Sequence, residues 1–497
     1  MIKSTQVQQK YDVVIIGAGV AGLACGCYLA KAGLKILIAE HHYVVGGCCS
    51  SFKRGRHTFD VGVHFLGSLR EGGIIDTFLK EFDLRDKLEL SRTDPSDFVM
   101  LPQHRIPLWN EPEKIQKELS QLFPQEKRVG EFIQFVITTD LKTLFRTLYG
   151  QTFKDVLDSF FLREELKAFF KSFLGNFGLA SDNISGYSAC VLFREYVFDT
   201  GYYPKGSTQA FSNLLADTVE DYGGHILLQG EVTKILIQGS SACGVEVNGN
   251  LSVKSDLVIS CCDAILTYFF LVGKDKLPLN FITRLESLKR SITGLVIYLG
   301  LNKQIGEQLP YKASTWIFDT YDIDGIYNRI ATGDYQYQSD HAICAFPSFY
   351  DRSLAPEGKE TMYIIIGAQW KDKEYWKEHK DQIADAAIRY VEQRLIPGLS
   401  DLVYIREVGS PQTIFRYTKS YQGALYGWAS TPDQSRRSVV PQKTPIANLY
   451  MAGQWATLES GQSGVSTAVY SARMVTKVIL SHTTTSRVIT QVSAPMS

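Results

Sequence analysis

The chain has 497 residues, 45% of them hydrophobic, enough to bury a large core and to divide into two or more lobes. Its 52 basic and 52 acidic residues leave a formal net charge of +0, which removes any electrostatic case for binding nucleic acid or polyanions. The nine cysteines, an odd count without zinc-finger spacing, read as buried free thiols of a reducing compartment rather than metal ligands or disulfides. The polar start from Met1 to Lys10 has no apolar signal core, and no run reaches the roughly 18 apolar residues of a membrane span. A cytoplasmic protein is expected.

The first predicted element is the β-branched run from Tyr11 to Ile16, a buried parallel strand. It breaks at Gly17 into a helix through Leu23, Ala24, Tyr28 and Leu29, which Gly33 ends. In the pattern Gly17-Ala18-Gly19-Val20-Ala21-Gly22, the first glycine makes the turn and the second admits a pyrophosphate. The third lets the helix pack on the strand. A second strand from Leu34 to Ala39 delivers Glu40 to the place where a carboxylate accepts from a ribose hydroxyl. Strand, glycine turn, helix, strand and terminal acid together predict a bound dinucleotide.

After Glu40, His41 and His42 occupy a loop suited to cofactor surroundings, and a second glycine pair, Gly46-Gly47, lets backbone pass close to a ligand on the first loop. Then comes Thr58-Phe59-Asp60-Val61-Gly62-Val63-His64-Phe65-Leu66-Gly67. Acid, spacer, Gly-Gly and a Phe-Asp-x-Gly turn resemble the FAD-binding amine oxidase and phytoene desaturase superfamily. Many members carry Arg after the glycine pair; here Cys48-Cys49 follows, leaving phosphate to backbone N–H groups and the helix N-terminus. The resemblance implies FAD, with Gly62, Val63 and His64 running along the flavin ring. His64 reads equally as a structural histidine and as a group that tunes the ring or relays a proton.

The middle of the chain alternates between two kinds of material. Phe153 to Phe177 is rich in Phe at helical spacing; core-facing helices are the plainer reading. A lipophilic tunnel or interfacial helix flanked by Lys142, Arg146, Lys167 and Lys171 is the sharper one. Tyr202-Tyr203-Pro204-Lys205-Gly206 opens a helix that Gly223-Gly224 ends, followed by strands over 225–228, 232–237, 244–247 and 251–260. These resemble the family's nucleotide-domain helix and β-meander, which implies that the Val232 backbone meets the adenine and that Cys262 lies where the chain returns to the cofactor. The run from Leu257 to Val272 reads as a strand passing into a loop. Later strands lie at Ser291 to Leu301 and Thr361 to Ile366.

The last strand, Ile446 to Ala452, brings Gly453 and Gln454 toward the ligand. Ser460-Gly461-Gln462-Ser463-Gly464-Val465 opens the final helix, whose free N–H groups suit anionic oxygens. Gln454 stands where many members of the family have an acid. The order of motifs from Tyr11 to Leu480 resembles the carotenoid desaturase, carotenoid isomerase and retinol saturase branch, with a lean toward saturase-like members.

The expected fold is α/β: a Rossmann-type FAD-binding domain, discontinuous in sequence, with an α+β substrate lobe of mixed sheet and helices. Its divisions fall at 1–100, 201–270 and 436–485 for the FAD domain, 101–200 for a helical lobe that faces substrate or membrane, 271–435 for the substrate sheet and 486–497 for a polar tail. The resemblance implies an oxidoreductase that desaturates, saturates or isomerises C=C bonds of a hydrophobic polyene. An amine oxidase using O2 and a flavin scaffold without turnover are the other readings. Cofactor contacts are assigned to Gly17, Gly19, Val20, Ala21, Gly22, Glu40, His41, Gly46, Gly47, Cys48, Gly62, Val63, His64, Val232, Cys262, Gly453, Gln454, Ser463, Gly464 and Val465. His64, Tyr426 and Glu459 are the catalytic candidates. No metal site is expected, and the sequence names no electron acceptor or donor.

Overall fold

Two seven-stranded sheets organise the molecule, in a computed structural model that describes residues 1–334, 337, 340–435, 441–456 and 464–492, with side chains as far as 481. In the first sheet the strands run in the order Val232–Gln238, Ser241–Val247, Leu251–Ser260, Lys10–Ile16, Ile36–Ala39 and His225–Leu227, with Leu449–Met451 also paired to Leu251–Ser260. Lys10–Ile16 is parallel to both of its neighbours, whereas the three strands from 232 to 260 form an antiparallel meander. Strand Lys10–Ile16 is apolar at consecutive positions because both faces are covered: Val13 and Ile15 enter one core, Val14 and Ile16 the other.

Helix Val20–Lys31 lies on this sheet and is covered by helices Gln209–Asp221 and Val465–Val492. The fit is close. A Cβ at Gly26 would stand 2.8 Å from the Ile38 side chain and 2.9 Å from Val219. Segments near 10–40, 209–260 and 449–480 therefore complete one sheet-and-helix unit although hundreds of residues separate them.

The second sheet runs Val403–Gly409, Thr293–Leu301, Glu360–Ala368, His341–Ala345, Ser314–Phe318, Asp97–Met100 and Arg105–Leu108, antiparallel except for the parallel pair of Ser314–Phe318 with Asp97–Met100. Its second strand, Thr293–Leu301, alternates between two environments. Leu295, Ile297 and Leu299 face the core shared with helices of the 112–199 region, while Val296 and Tyr298 face the hairpin Ser51–Arg54/His57–Asp60. That hairpin carries the Asp60–Gly67 turn, so the second sheet is the wall against which the turn is set.

Several expectations change here. The run after Ser260 is a π-helical turn over Leu266–Gly273, not a loop, since an apolar stretch reads alike in either state. Phe161 is a core residue, stacked on Phe170 at 5.3 Å between centroids and an 8° interplanar angle. Lys167 and Lys171 are not free basic flanks: Lys167 pairs with Asp158 and Glu164, and Lys171 with Asp324. Cys48 is exposed, whereas Cys25, Cys27 and Cys49 are buried; all nine thiols are free. Among the described residues, no helix is long and apolar enough to cross a membrane.

Candidate functional site

The glycine loop follows directly from the first strand. Gly17 turns at φ +96°, and its N–H donates to the Ala39 carbonyl at 2.8 Å, tying the turn to the second strand. A Cβ at Gly22 would fall 1.9 Å from the Gly17 carbonyl oxygen, so only glycine lets the helix start this close. At Gly19 the same test meets nothing within 4 Å. The two positions differ in kind: Gly22 is needed by the fold, while Gly19 fronts open space. No side chain caps the helix and no acid lies in its first turn. The N–H groups of Val20, Ala21 and Gly22 therefore present uncompensated positive dipole at that space.

Glu40 stands beside it, 7% exposed. Its carboxylate accepts from the Ala18 N–H at 2.7 Å and the His42 N–H at 2.8 Å, and each oxygen keeps a second acceptor direction. Gly230 N donates to the Glu40 carbonyl at 2.8 Å, which brings the start of the Val232 strand alongside. Cys262 flanks the same turn: its Sγ is 3.3 Å from where a Gly17 Cβ would be. His41 sits at the rim, its Nε2 2.9 Å from the Tyr417 carbonyl oxygen.

The second glycine pair is bonded to the first. Gly46 N donates to the Ala18 carbonyl at 2.8 Å, and a Cβ at Gly47 would come 3.3 Å from the Gly19 Cα. Gly46 adopts φ +115° and Gly47 φ +57°. The chain then passes through the hairpin to Asp60, a hub whose importance the motif alone does not reveal. The fully buried Asp60 carboxylate accepts from the Tyr203 hydroxyl at 2.5 Å, the Thr208 N–H at 3.0 Å and the Thr208 hydroxyl at 2.8 Å. Burial pushes its acid up to about 6 against those three donors. The Tyr298 hydroxyl donates to the Val61 carbonyl at 2.7 Å, fixing the other side of the turn.

Gly62 is exposed, and a Cβ there would meet nothing within 4 Å, as at Gly19. Val63 N donates to the Cys48 carbonyl at 3.4 Å, placing the turn beside Gly47 and Cys48. His64 is buried, with Nε2 3.0 Å from the Tyr196 hydroxyl. Burial pulls the imidazole down to about 4, partly opposed by the Gly62 backbone, so the ring is neutral at physiological pH.

Gly453 closes the opposite side at φ +91°, its N–H donating to the Ser471 hydroxyl at 3.0 Å; a Cβ there would approach the Ala21 Cβ at 3.3 Å. Gln454 is half-buried, and Gly464 and Val465 open the last helix. Tyr426 is half-buried, its hydroxyl donating to the Gly175 carbonyl at 2.8 Å, which is a structural bond. Glu459 and Ser463 lie outside the described residues. Hydrogen bonds and close approaches thus link the segments near 17–22, 40–48, 60–64, 230–232, 262 and 453. Of the residues that support them, Tyr203 and Thr208 belong to the run that opens the 209–221 helix, whereas Tyr196 and Tyr298 carry no motif in the sequence.

Residues 15–82 match the family model of an NAD(P)-binding Rossmann-like domain. The chain is 27% identical to an all-trans-retinol 13,14-reductase of Danio rerio, over 91% of this chain and 83% of that protein. It is 24% identical to a chloroplastic prolycopene isomerase 2 of an Oncidium hybrid cultivar, over 90% and 80%. A 4,4'-diapophytoene desaturase (4,4'-diapolycopene-forming) of Methylomonas is 25% identical over 94% of each chain. Among solved structures, an oxidoreductase from Methanosarcina mazei aligns with TM-score 0.68 and 20% identity, over 94% of this chain and all of that one. A putrescine oxidase variant aligns with TM-score 0.65 and 14% identity, over 95% and 99%. The structural likenesses show a shared Rossmann-type fold.

Proposed function

We propose that this chain is an FAD-dependent oxidoreductase acting on C=C bonds of a carotenoid- or retinoid-like polyene, by desaturation, saturation or cis–trans isomerisation. The observation that carries the cofactor is the pair of glycines, Gly19 and Gly62, that face open space from two loops joined through Gly46 and Gly47. A nicotinamide site needs only the first loop; the second fits a dinucleotide whose far ring continues past the phosphates. The polyene is supported by the relatives, named for retinoid and carotenoid chemistry along nine-tenths of the chain.

In this reading Gly17, Gly19, Val20, Ala21 and Gly22 hold the pyrophosphate, and Glu40 with His41 the ribose. Val232 borders the adenine, and Cys262 lies where the chain returns to the cofactor. Gly46, Gly47 and Cys48 pass along the diphosphate, Gly62, Val63 and His64 along the ring, and Gly453, Gln454, Gly464 and Val465 along the ribityl side. The segments 1–100, 201–270 and 436–485 form the FAD domain; the intervening ones form the substrate lobe. Bound FAD supplies hydride acceptance and donation at N5. The chain's own contribution is placement and exclusion of water. Neutral His64 holds a proton without adding charge, and the buried rings of Phe65, Tyr203 and Tyr350 wall off solvent.

Anaerobic titration of the purified protein tests this. A polyene panel should bleach or change the flavin spectrum and yield products separable by chromatography and mass. Bleaching by small amines alone would favour amine oxidation, for which the support is the fold. Peripheral contact with a membrane through 141–178 is supported by Leu162, 87% exposed, and Tyr149, 55% exposed. Loss of vesicle co-sedimentation in Leu162→Ser tests that contact.

A further inference from the structure

We propose that Tyr196 is a positioning residue for His64, its hydroxyl donating to Nε2 and so holding the imidazole in one neutral tautomer with the proton on Nδ1. The inference rests on the proposed function, which puts the His64 turn along the flavin.

The contact is built from both sides. Tyr196 lies in a π-helical turn, Phe193–Val197, that continues helix Gly186–Leu192. Such turns shift the register of a helix and recur at functional sites. The loop after His64 is clamped to this turn. A Cβ at Gly67 would fall 2.4 Å from the Glu195 carbonyl oxygen and 3.0 Å from the Tyr196 Cα. The Glu195 carboxylate accepts from the Ser68 hydroxyl at 2.6 Å and from Arg70 Nη2 at 2.8 Å. Asp199 accepts from the Arg70 N–H at 3.0 Å and from its Nη1 at 3.2 Å. Arg194 Nε, 3.3 Å from the Glu195 carboxylate, sets a second cation against the two acids of this clamp, and the group it delivers to the imidazole is a neutral phenol.

The direction of the proton follows from counting donors and acceptors. Nε2 lies 3.0 Å from the Tyr196 hydroxyl, which makes no other hydrogen bond among the described residues. Nδ1 is enclosed with no hydrogen-bond partner. If Nε2 carried the proton, the phenol hydrogen and the Nδ1 lone pair would both be buried without partners. With the proton on Nδ1, the phenol donates, Nε2 accepts and only Nδ1–H is left without a partner. A buried orphan is costly, so the second arrangement, with one orphan against two, wins. The consequence for the reaction is one fixed N–H on the side of the cofactor turn.

The test uses the flavin-loaded full chain labelled with 15N-histidine, His64→Gln serving to assign the resonance. Wild type should show one tautomer between pH 6 and 8, with Nε2 unprotonated and Nδ1 protonated. In Tyr196→Phe the signal should shift toward the Nε2–H form or average over both, with flavin content unchanged and flavin reduction by polyene slowed roughly tenfold. Tyr350→Phe, which removes a buried hydroxyl next to Phe65, should leave the signal in place. A wild-type ring protonated on Nε2, or a tautomer unmoved in Tyr196→Phe, overturns the inference. A protein that holds no flavin defeats the proposed function instead, and the tautomer is still read.

Discussion

Gly19→Ala and Gly22→Ala add the same methyl group three residues apart, yet they should fail in opposite ways. At Gly22 the new carbon would lie 1.9 Å from the Gly17 carbonyl oxygen, a backbone atom that cannot swing aside. The helix must lift off the strand, at the cost of about 1–3 kcal/mol or more that overpacking carries. At Gly19 the backbone already has φ −68° and ψ 174°, open to any residue, and the methyl meets nothing within 4 Å. The apoprotein should therefore keep its stability or gain about 0.4–1 kcal/mol, because alanine restricts the unfolded chain. Its flavin should be lost, since the methyl occupies the space assigned to phosphate oxygen; about 1–3 kcal/mol of overlap weakens binding by roughly 5- to 150-fold. Thermal unfolding of the apoproteins, with FAD titration by absorbance and fluorescence, separates the two effects. A Gly19→Ala protein that binds FAD as tightly as wild type would refute the placement of the pyrophosphate.

Glu40→Ala should weaken FAD binding by about 1–3 kcal/mol, measured by the same titration, through loss of a charged acceptor. Asp60→Asn should cost about 1–3 kcal/mol in stability at neutral pH and lower flavin occupancy, because one of three donors then faces an amide N–H₂. The pH sign is definite: with its acid raised to about 6, Asp60 retains a proton in the folded state that the unfolded chain has released. Stability thus falls as pH rises from about 4 to about 6, by about 3 kcal/mol for this group, and the variant should lose that share of the slope in denaturation curves. His64→Phe should slow the flavin half-reactions by roughly 10²- to 10⁴-fold in stopped-flow absorbance if the ring moves a proton; an unchanged rate per bound flavin would leave it a structural residue. Phe161→Ser should cost about 3–5 kcal/mol in chemical denaturation, because it opens the stack with Phe170, and it should not simply raise KM.

The parts of this site that the sequence discloses are those whose chemistry closes within a short stretch of chain. Gly17, Gly22 and Glu40 declare themselves because a strand, a tight turn, a helix and a second strand fit in about thirty residues, and each glycine answers a steric demand set by close neighbours. Asp60 belongs to a visible motif, but its work depends on Tyr203 and Thr208, more than 140 positions away. Tyr196 meets His64 across 132 positions and looks like any other ring in an aromatic run. Phe161 shows why such a run is ambiguous: a tunnel wall and a core both require apolar side chains, and only the partner on the far side distinguishes them. For Phe161 that partner is Phe170, and the ring is closed in. The pattern has a physical origin in the two sheets. A parallel strand must be reached by a long crossover, so Leu251–Ser260 and Leu449–Met451 return to the first sheet after other segments have been spent elsewhere. The second sheet sets the Asp60 turn through Tyr298, a residue nearly 240 positions later. A cofactor site assembled this way has its backbone cradle written locally and its side-chain supports written at a distance. The residues most exposed to substitution without warning from any motif are therefore Tyr196 and Tyr298, and each should disturb the 60–67 turn while leaving the Gly17–Gly22 loop intact.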